Sequence, residues 1–143
     1  MDLTLYPCTL SGNVQAIPSK SQAHRLLICA AFSDRKTVLD CPQTNEDIEA
    51  TANCLNALGA KIVRTQNGYH ITPITSIPES AVIDCGESGS TLRFLLPVVC
   101  ALGVNTTIHM HGRLPYRPLS PLWEELERMG SILTRPTETL INM

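Results

Sequence analysis

CGESGSTLRFLLPVVCALG, residues 85–103, decides how this chain is read, because SKSQAHRLLICAAF at residues 19–32 follows the same plan. Each opens on small polar residues, passes an arginine, and runs into an apolar stretch with helical spacing, Ala23, Leu26, Leu27, Ala30 and Ala31 sharing one face in the earlier copy. Outward from these two starts the order also repeats. TVLD (37–40) reads as a strand and NEDIEATANCLNALGA (45–60) as an amphipathic helix ending at Gly59. KIVRTQ and YHITPI are alternating runs joined by a turn at Asn67-Gly68, a hairpin signal.

After the strand AVIDC (81–85) the second copy gives its helix, then NTTIHMH, RPLSPLWEELERMG and SILTR. Arg25 and Arg93 are 68 positions apart; Gly59 and Gly130, like Arg64 and Arg135, are 71 apart. Repeats of this kind bury their apolar faces against one another, and roughly three are needed for a closed core. The second copy reaches SILTRPTETLINM just where its hairpin is due, so the spacing predicts an N-terminal part of a longer protein. The last residues, TETLINM, are open between a native hairpin and a remnant foreign to the fold.

With 43% hydrophobic and 17% charged residues, the 143-residue chain has the composition of a folded, soluble domain rather than a disordered one. A formal net charge of -2 argues against a general nucleic-acid binder, so any anion site must be local. The N-terminus lacks a basic region before an apolar core, and no apolar run approaches the roughly 20 residues of a membrane span. Six cysteines without CxxC spacing read as free, mostly buried thiols of a cytoplasmic protein.

The helix starts carry the chemistry. The first N–H groups of a helix lack internal acceptors and bear partial positive charge, so an anion is stabilised there. Ser19 or Ser21 can cap the first helix, Lys20 adds a full charge, and Arg25 a planar fork. In the second copy Gly86 and Gly89 let backbone approach a ligand, Ser90 and Thr91 offer hydroxyls, and Arg93 takes the place of Arg25. A third cationic segment, HGRLPYRPLSPL (111–122), holds Arg113 and Arg117 between prolines, with Arg117-Pro118 at an expected helix start. His109 and His111 form an HxH without an evident third ligand and read as surface residues. Trp123, Leu126 and Met129, and Leu55, Ala57 and Leu58, read as core.

Ser19-Lys20-Ser21 with Arg25, GESGSTLR (86–93), and Arg113 through Arg117-Pro118 together resemble the 5-enolpyruvylshikimate-3-phosphate synthases, or 3-phosphoshikimate 1-carboxyvinyltransferases, over about Gly12 to Gly130. The resemblance implies an α/β (α+β) fold: an inside-out domain of repeated βαβαββ units, helices within and sheets outside, here about two of three. Residues 1–14 would be a strand and hinge segment belonging with a C-terminal domain, and 15–143 part of the N-terminal substrate-binding domain.

By the same resemblance the enzyme transfers the enolpyruvyl group of phosphoenolpyruvate to the 5-hydroxyl of shikimate 3-phosphate in aromatic amino-acid biosynthesis, without metal or cofactor, as a cytoplasmic monomer. Lys20, Ser21 and Arg25 would hold shikimate 3-phosphate, Lys20 also facing phosphoenolpyruvate; Gly89 and Arg117 would line the phosphoenolpyruvate site, Arg93 and Arg113 would support it, and Asp47 would lie near both substrates. The principal acid–base residues belong to the C-terminal domain, so no catalytic residue is assigned here and the isolated chain is expected to be inactive. Glu87 departs from the Asn that many members carry. The related transferase acting on UDP-N-acetylglucosamine would show Lys-Asn at the first helix and a cysteine before Arg-Pro; this chain has Lys20-Ser21 and GRLPYRP. A non-catalytic anion-binding module is the reading of a different class.

Overall fold

The computed structural model describes residues 3, 4, 6–14 and 16–143. The described part of residues 3–19 forms no helix or strand and is almost wholly exposed; residues 1, 2, 5 and 15, in or beside the expected leading segment, lie outside the described residues. Regular structure starts at α1 (Lys20–Ala31) and continues through β1 (Thr37–Asp40), α2 (Glu46–Ala57), β2 (Lys61–Thr65) and β3 (Gly68–Thr72). The second half runs β4 (Ser80–Asp84), α3 (Gly89–Leu102), β5 (Asn105–His109), a 3-10 turn at Leu114–Tyr116, α4 (Leu122–Arg128), β6 (Thr134–Thr137) and β7 (Leu140–Asn142).

Two sheets result, ordered β1-β3-β2 and β4-β5-β7-β6. β1 pairs antiparallel with β3 as β5 does with β7, and each of these inner strands pairs with its hairpin partner, β2 or β6. TETLINM is therefore the rest of the second hairpin, with Ile141 opposite Ile108 and fully buried. Only β4, parallel to β5, has no counterpart: β1's other edge has no strand partner among the described residues.

Local chemistry explains the bounds. Ser19, Asn45 and Ser88 cap α1, α2 and α3, each side chain accepting a bond from the N–H three residues on. Glu46, Asp47 and Glu49 in the first turn of α2 complement its dipole. α2 and α4 end in matching turns: Ala60 N–H donates to the Leu55 carbonyl and Ser131 N–H to that of Leu126, around Gly59 (φ +106°) and Gly130 (φ +96°). Arg64 and Arg135 correspond as well, the former donating to the carbonyls of Cys41 and Pro42 and the latter to that of Pro115.

Several sequence expectations shift. Counted from their caps, α1 and α3 are offset by 69 (Ser19 and Ser88), not 68, so Arg25 corresponds to Phe94 rather than Arg93. The hairpin turn is Gln66–Asn67, Gly68 being already in β3, where a Cβ would meet the Leu39 carbonyl oxygen at 1.8 Å. α4 begins at Leu122 and not at Arg117-Pro118, because Pro118 and Pro121 lack N–H donors and restrict the residues before them. Leu26, Ala57 and Met129 face solvent, Met129 at 77%. Among the cysteines, Cys41, Cys54 and Cys85 are buried, Cys100 is partly so, and Cys8 and Cys29 are exposed.

The core is one cluster. Leu27 of α1, Ile48 and Leu55 of α2, and Leu92, Leu95 and Val99 of α3 meet Ile62, Tyr69 and Ile71 of the first sheet and Ile83, Ile108 and Ile141 of the second. α2 touches both β2 and β4, so it lies between the sheets, while Val38 (71% exposed) and Val82 look outward from them. Helices within and sheets outside bring the starts of α1, α2 and α3 into one region.

Candidate anion-binding site

At the start of α1, the Lys20 ammonium lies 2.5 Å from Asp47 Oδ2, an ion pair from the first residue of α1 to the first turn of α2. Ser21 is exposed, and its carbonyl accepts a 2.8 Å bond from Arg25 Nη1. The Arg25 guanidinium carbon sits 4.8 Å from the centre of the Phe94 ring, so this side chain reaches from α1 onto α3 and holds its fork by cation–π contact.

At the start of α3, Ser88 Oγ accepts from Thr91 N–H at 3.2 Å and Gly89 follows as the first helical residue, buried. Arg93 folds back to donate to the Gly89 carbonyl (3.2 Å) and across to that of Pro118 (2.8 Å). A Cβ on Gly89 would lie 2.6 Å from Arg93 Nη1 and 3.1 Å from Arg117 Nη1. Two guanidinium groups thus crowd the one position where the helix start is bare of side chain, and each contributes N–H donors beside the helix's own.

The segment bearing Arg113 and Arg117 is tied down from several sides. Glu87 Oε1 accepts a 3.0 Å bond from Arg113 N–H, and the Glu87 carboxylate fills the space beside Gly112. This carboxylate therefore faces the backbone of the loop, which answers the departure at position 87: it braces the cationic segment. Arg135 holds the Pro115 carbonyl, and the Tyr116 hydroxyl donates to Glu138 at 3.0 Å.

The structure brings together Lys20 and Asp47 at one helix start and Gly89, Arg93 and Arg117 at another, with Arg25 bridging to Phe94. Arg113 joins through its backbone; Ser21 stands beside Lys20 and is exposed. His111 pairs with Asp84 at 3.0 Å, and its backbone N–H donates to the Gly86 carbonyl. Among the described residues no three His, Cys, Asp or Glu side chains group to hold a metal, and no helix is long and apolar enough to cross a membrane.

Sequence reading missed His24 and Thr51, both fully buried and hydrogen-bonded at 2.7 Å. The available signal was a polar residue on the buried face of each helix, His24 beside Ala23 and Leu27, and Thr51 between Ile48 and Leu55. Burial, Asp47 opposing, with Lys20 and Arg25 adding to it, lowers the His24 pKa below 6.5, so the ring is neutral.

Residues 6–138 match the family model described as EPSP synthase (3-phosphoshikimate 1-carboxyvinyltransferase). Among curated proteins, the 3-phosphoshikimate 1-carboxyvinyltransferase of Clostridium botulinum (strain Alaska E43 / Type E3) is 39% identical over 132 residues, covering 88% of this chain and 30% of its own length. That of Clostridium beijerinckii is 38% identical over 138 residues, covering 90% and 32%. The EPSP synthase structure from Acinetobacter baumannii superposes with a TM-score of 0.76 at 22% identity, over 92% of this chain and 32% of that one. The last likeness establishes the fold, and the chain spans about three tenths of the length of the relatives it matches.

Proposed function

The chain belongs to the EPSP synthase family, and on that premise we propose that it is the N-terminal, substrate-binding portion of a 3-phosphoshikimate 1-carboxyvinyltransferase. Residues 15–143 form part of the N-terminal domain, and residues 1–14 belong with a C-terminal domain carried elsewhere in the polypeptide. The observation that carries the reading is the convergence of Arg93 and Arg117 on Gly89, beside a second helix start bearing Lys20 and Arg25.

The reaction joins two polyanions, shikimate 3-phosphate and phosphoenolpyruvate. The substrate 5-hydroxyl adds to C2 of phosphoenolpyruvate, losing its proton as one is delivered to C3. Inorganic phosphate then leaves the tetrahedral intermediate as C3 gives up a proton, which restores the C2=C3 double bond. Cations fixed in advance offset the mutual repulsion and set the approach, which is where a binding surface contributes to rate. Lys20, Ser21 and Arg25 hold the sugar phosphate; Gly89 and Arg117 receive phosphoenolpyruvate against the start of α3, with Arg93 and Arg113 supporting and Asp47 near both substrates. The acid–base groups come from the C-terminal domain, and the complete enzyme works as a cytoplasmic monomer without metal.

Phosphate release measured on the complete polypeptide, or on this chain mixed with its missing part, tests the reading. Release that needs both substrates and both parts supports it. Binding of both anions without release points instead to a non-catalytic module, and turnover with UDP-N-acetylglucosamine as acceptor to the related transferase.

A further inference from the structure

The residues that the anion surface leaves unused meet where three helices start. His24 of α1, Thr51 of α2 and Thr91 of α3 are fully buried, and Ser88 is 1% exposed. They form one chain: His24 Nδ1 to Thr51 Oγ1 at 2.7 Å, Thr51 Oγ1 to Thr91 Oγ1 at 2.7 Å, and Thr91 Oγ1 on to Ser88 Oγ at 2.7 Å and the Asp47 carbonyl at 3.2 Å. Asp47 is the junction, its side chain holding Lys20 and its carbonyl facing Thr91. Ser88 in turn caps the helix that begins at Gly89.

We propose that His24, Thr51 and Thr91 are positioning residues that lock the starts of α1, α2 and α3 into a single anion-binding surface, with His24 held as its Nδ1–H tautomer. Proton accounting gives the direction. The Asp47 carbonyl only accepts, so Thr91 spends its one hydroxyl proton at the Asp47 and Ser88 end. Thr91 then accepts from Thr51, and Thr51, its proton spent, accepts from His24 Nδ1–H. His24 Nε2 has no partner among the described residues. In this tautomer it is a bare lone pair; the opposite one would bury an orphan N–H, which folded proteins tolerate less. A satisfied buried chain of this type specifies one arrangement of the elements it joins.

The proposal rests on the anion surface described above, and its test separates the two. Ring nitrogen-15 shifts of His24 report the tautomer, while inorganic phosphate is titrated into the chain and followed at the amides of Ser21 (α1) and Ser90 (α3). Thr91→Val keeps the shape and removes the hydroxyl; Thr91→Ser keeps the hydroxyl. The valine variant is expected to lose the Nδ1–H signature and to raise the half-saturating phosphate about tenfold at both amides, as a small misplacement of binding groups does. Thr91→Ser should restore both readouts. Thr51→Val, cutting the chain on α2, should act alike and serves if Thr91→Val does not fold.

A valine variant that leaves the His24 ring and the Ser21 response unchanged, disturbing α3 alone, overturns the proposal, as does failure of serine to rescue. Absence of any phosphate response in the unsubstituted chain sinks the anion surface itself. The tautomer and its sensitivity to Thr91→Val then judge the chain of hydroxyls separately.

Discussion

Lys20 and Asp47 are 27 residues apart and joined by a 2.5 Å ion pair, so the cation at the first helix start is already engaged before any anion arrives. An incoming phosphate must compete with this carboxylate. Asp47→Asn is expected to tighten inorganic phosphate at α1 by up to about fivefold, a Coulomb term of about 1 kcal/mol at a hydrated site. Lys20→Ala should weaken it. Since the Lys20 side chain is 46% exposed, the pair adds at most about 1 kcal/mol to stability, and Asp47→Asn should barely move Tm. Calorimetric titration and thermal unfolding check both statements.

Gly89→Ala separates binding from folding. The new Cβ meets the ends of two flexible arginines, not backbone, and alanine is the better helix former by up to about 1 kcal/mol. Tm should hold or rise slightly. Arg93 and Arg117 must retreat, so binding of phosphoenolpyruvate is expected to fall at least about tenfold, with shikimate 3-phosphate affected less. Equal losses for both ligands in the complete polypeptide would show that the two helix starts do not divide the work.

Gly68→Ala is the opposite case. Its Cβ would lie 1.8 Å from the Leu39 carbonyl oxygen and 2.7 Å from Cys41 N, both backbone, at a φ of +152° that side chains rarely adopt. β1 and β3 would have to part, at a cost of about 3 kcal/mol or more. Urea unfolding should show a large drop in midpoint or no folded protein at all.

His24 makes stability depend on pH. Its folded pKa lies below the unfolded value of 6.5, so as pH falls through 6.5 the unfolded chain takes up the proton first. The native state loses up to about 1.4 kcal/mol per pH unit until its own pKa is reached. The urea midpoint of the native sequence should therefore fall further between pH 7.5 and pH 5.5 than that of His24→Asn, in which this proton is absent. Identical pH profiles would show His24 to titrate normally.

Glu87 should act through geometry. Glu87→Gln retains an acceptor for Arg113 N–H and is expected to keep phosphoenolpyruvate binding within about threefold, whereas Glu87→Ala frees the loop and weakens binding more. If the two variants behave alike, charge rather than the bond at Arg113 decides.

Much of the fold was legible because its signals are local. TVLD, the Asn45 cap and the Gly59 stop mark β1 and α2 within a few residues, and the 71-residue spacing of Gly59 and Gly130 marks equivalent turns. The helix register was misread because the arginines invite alignment, yet Arg25 is the sixth residue of α1 and Arg93 the fifth of α3. One position is about 100° of rotation, enough to send Arg25 to Phe94 and Arg93 back to Gly89. The Arg117 segment was misplaced onto a helix because proline starts helices as readily as it interrupts them. Nothing periodic links His24, Thr51 and Thr91, which meet only through packing of three helices.

The flank of β1 that has no strand partner among the described residues has a practical side. Thr37–Asp40 carries main-chain donors and acceptors along an edge that its counterpart β5 shares with β4, and Val38 lies open on the outer face. Such an edge is a template for another copy of itself, and charge at its ends, from Lys36 and Asp40, is the usual protection. A parallel strand laid against these four residues, as β4 lies against β5, would satisfy the edge and close it to pairing with another copy.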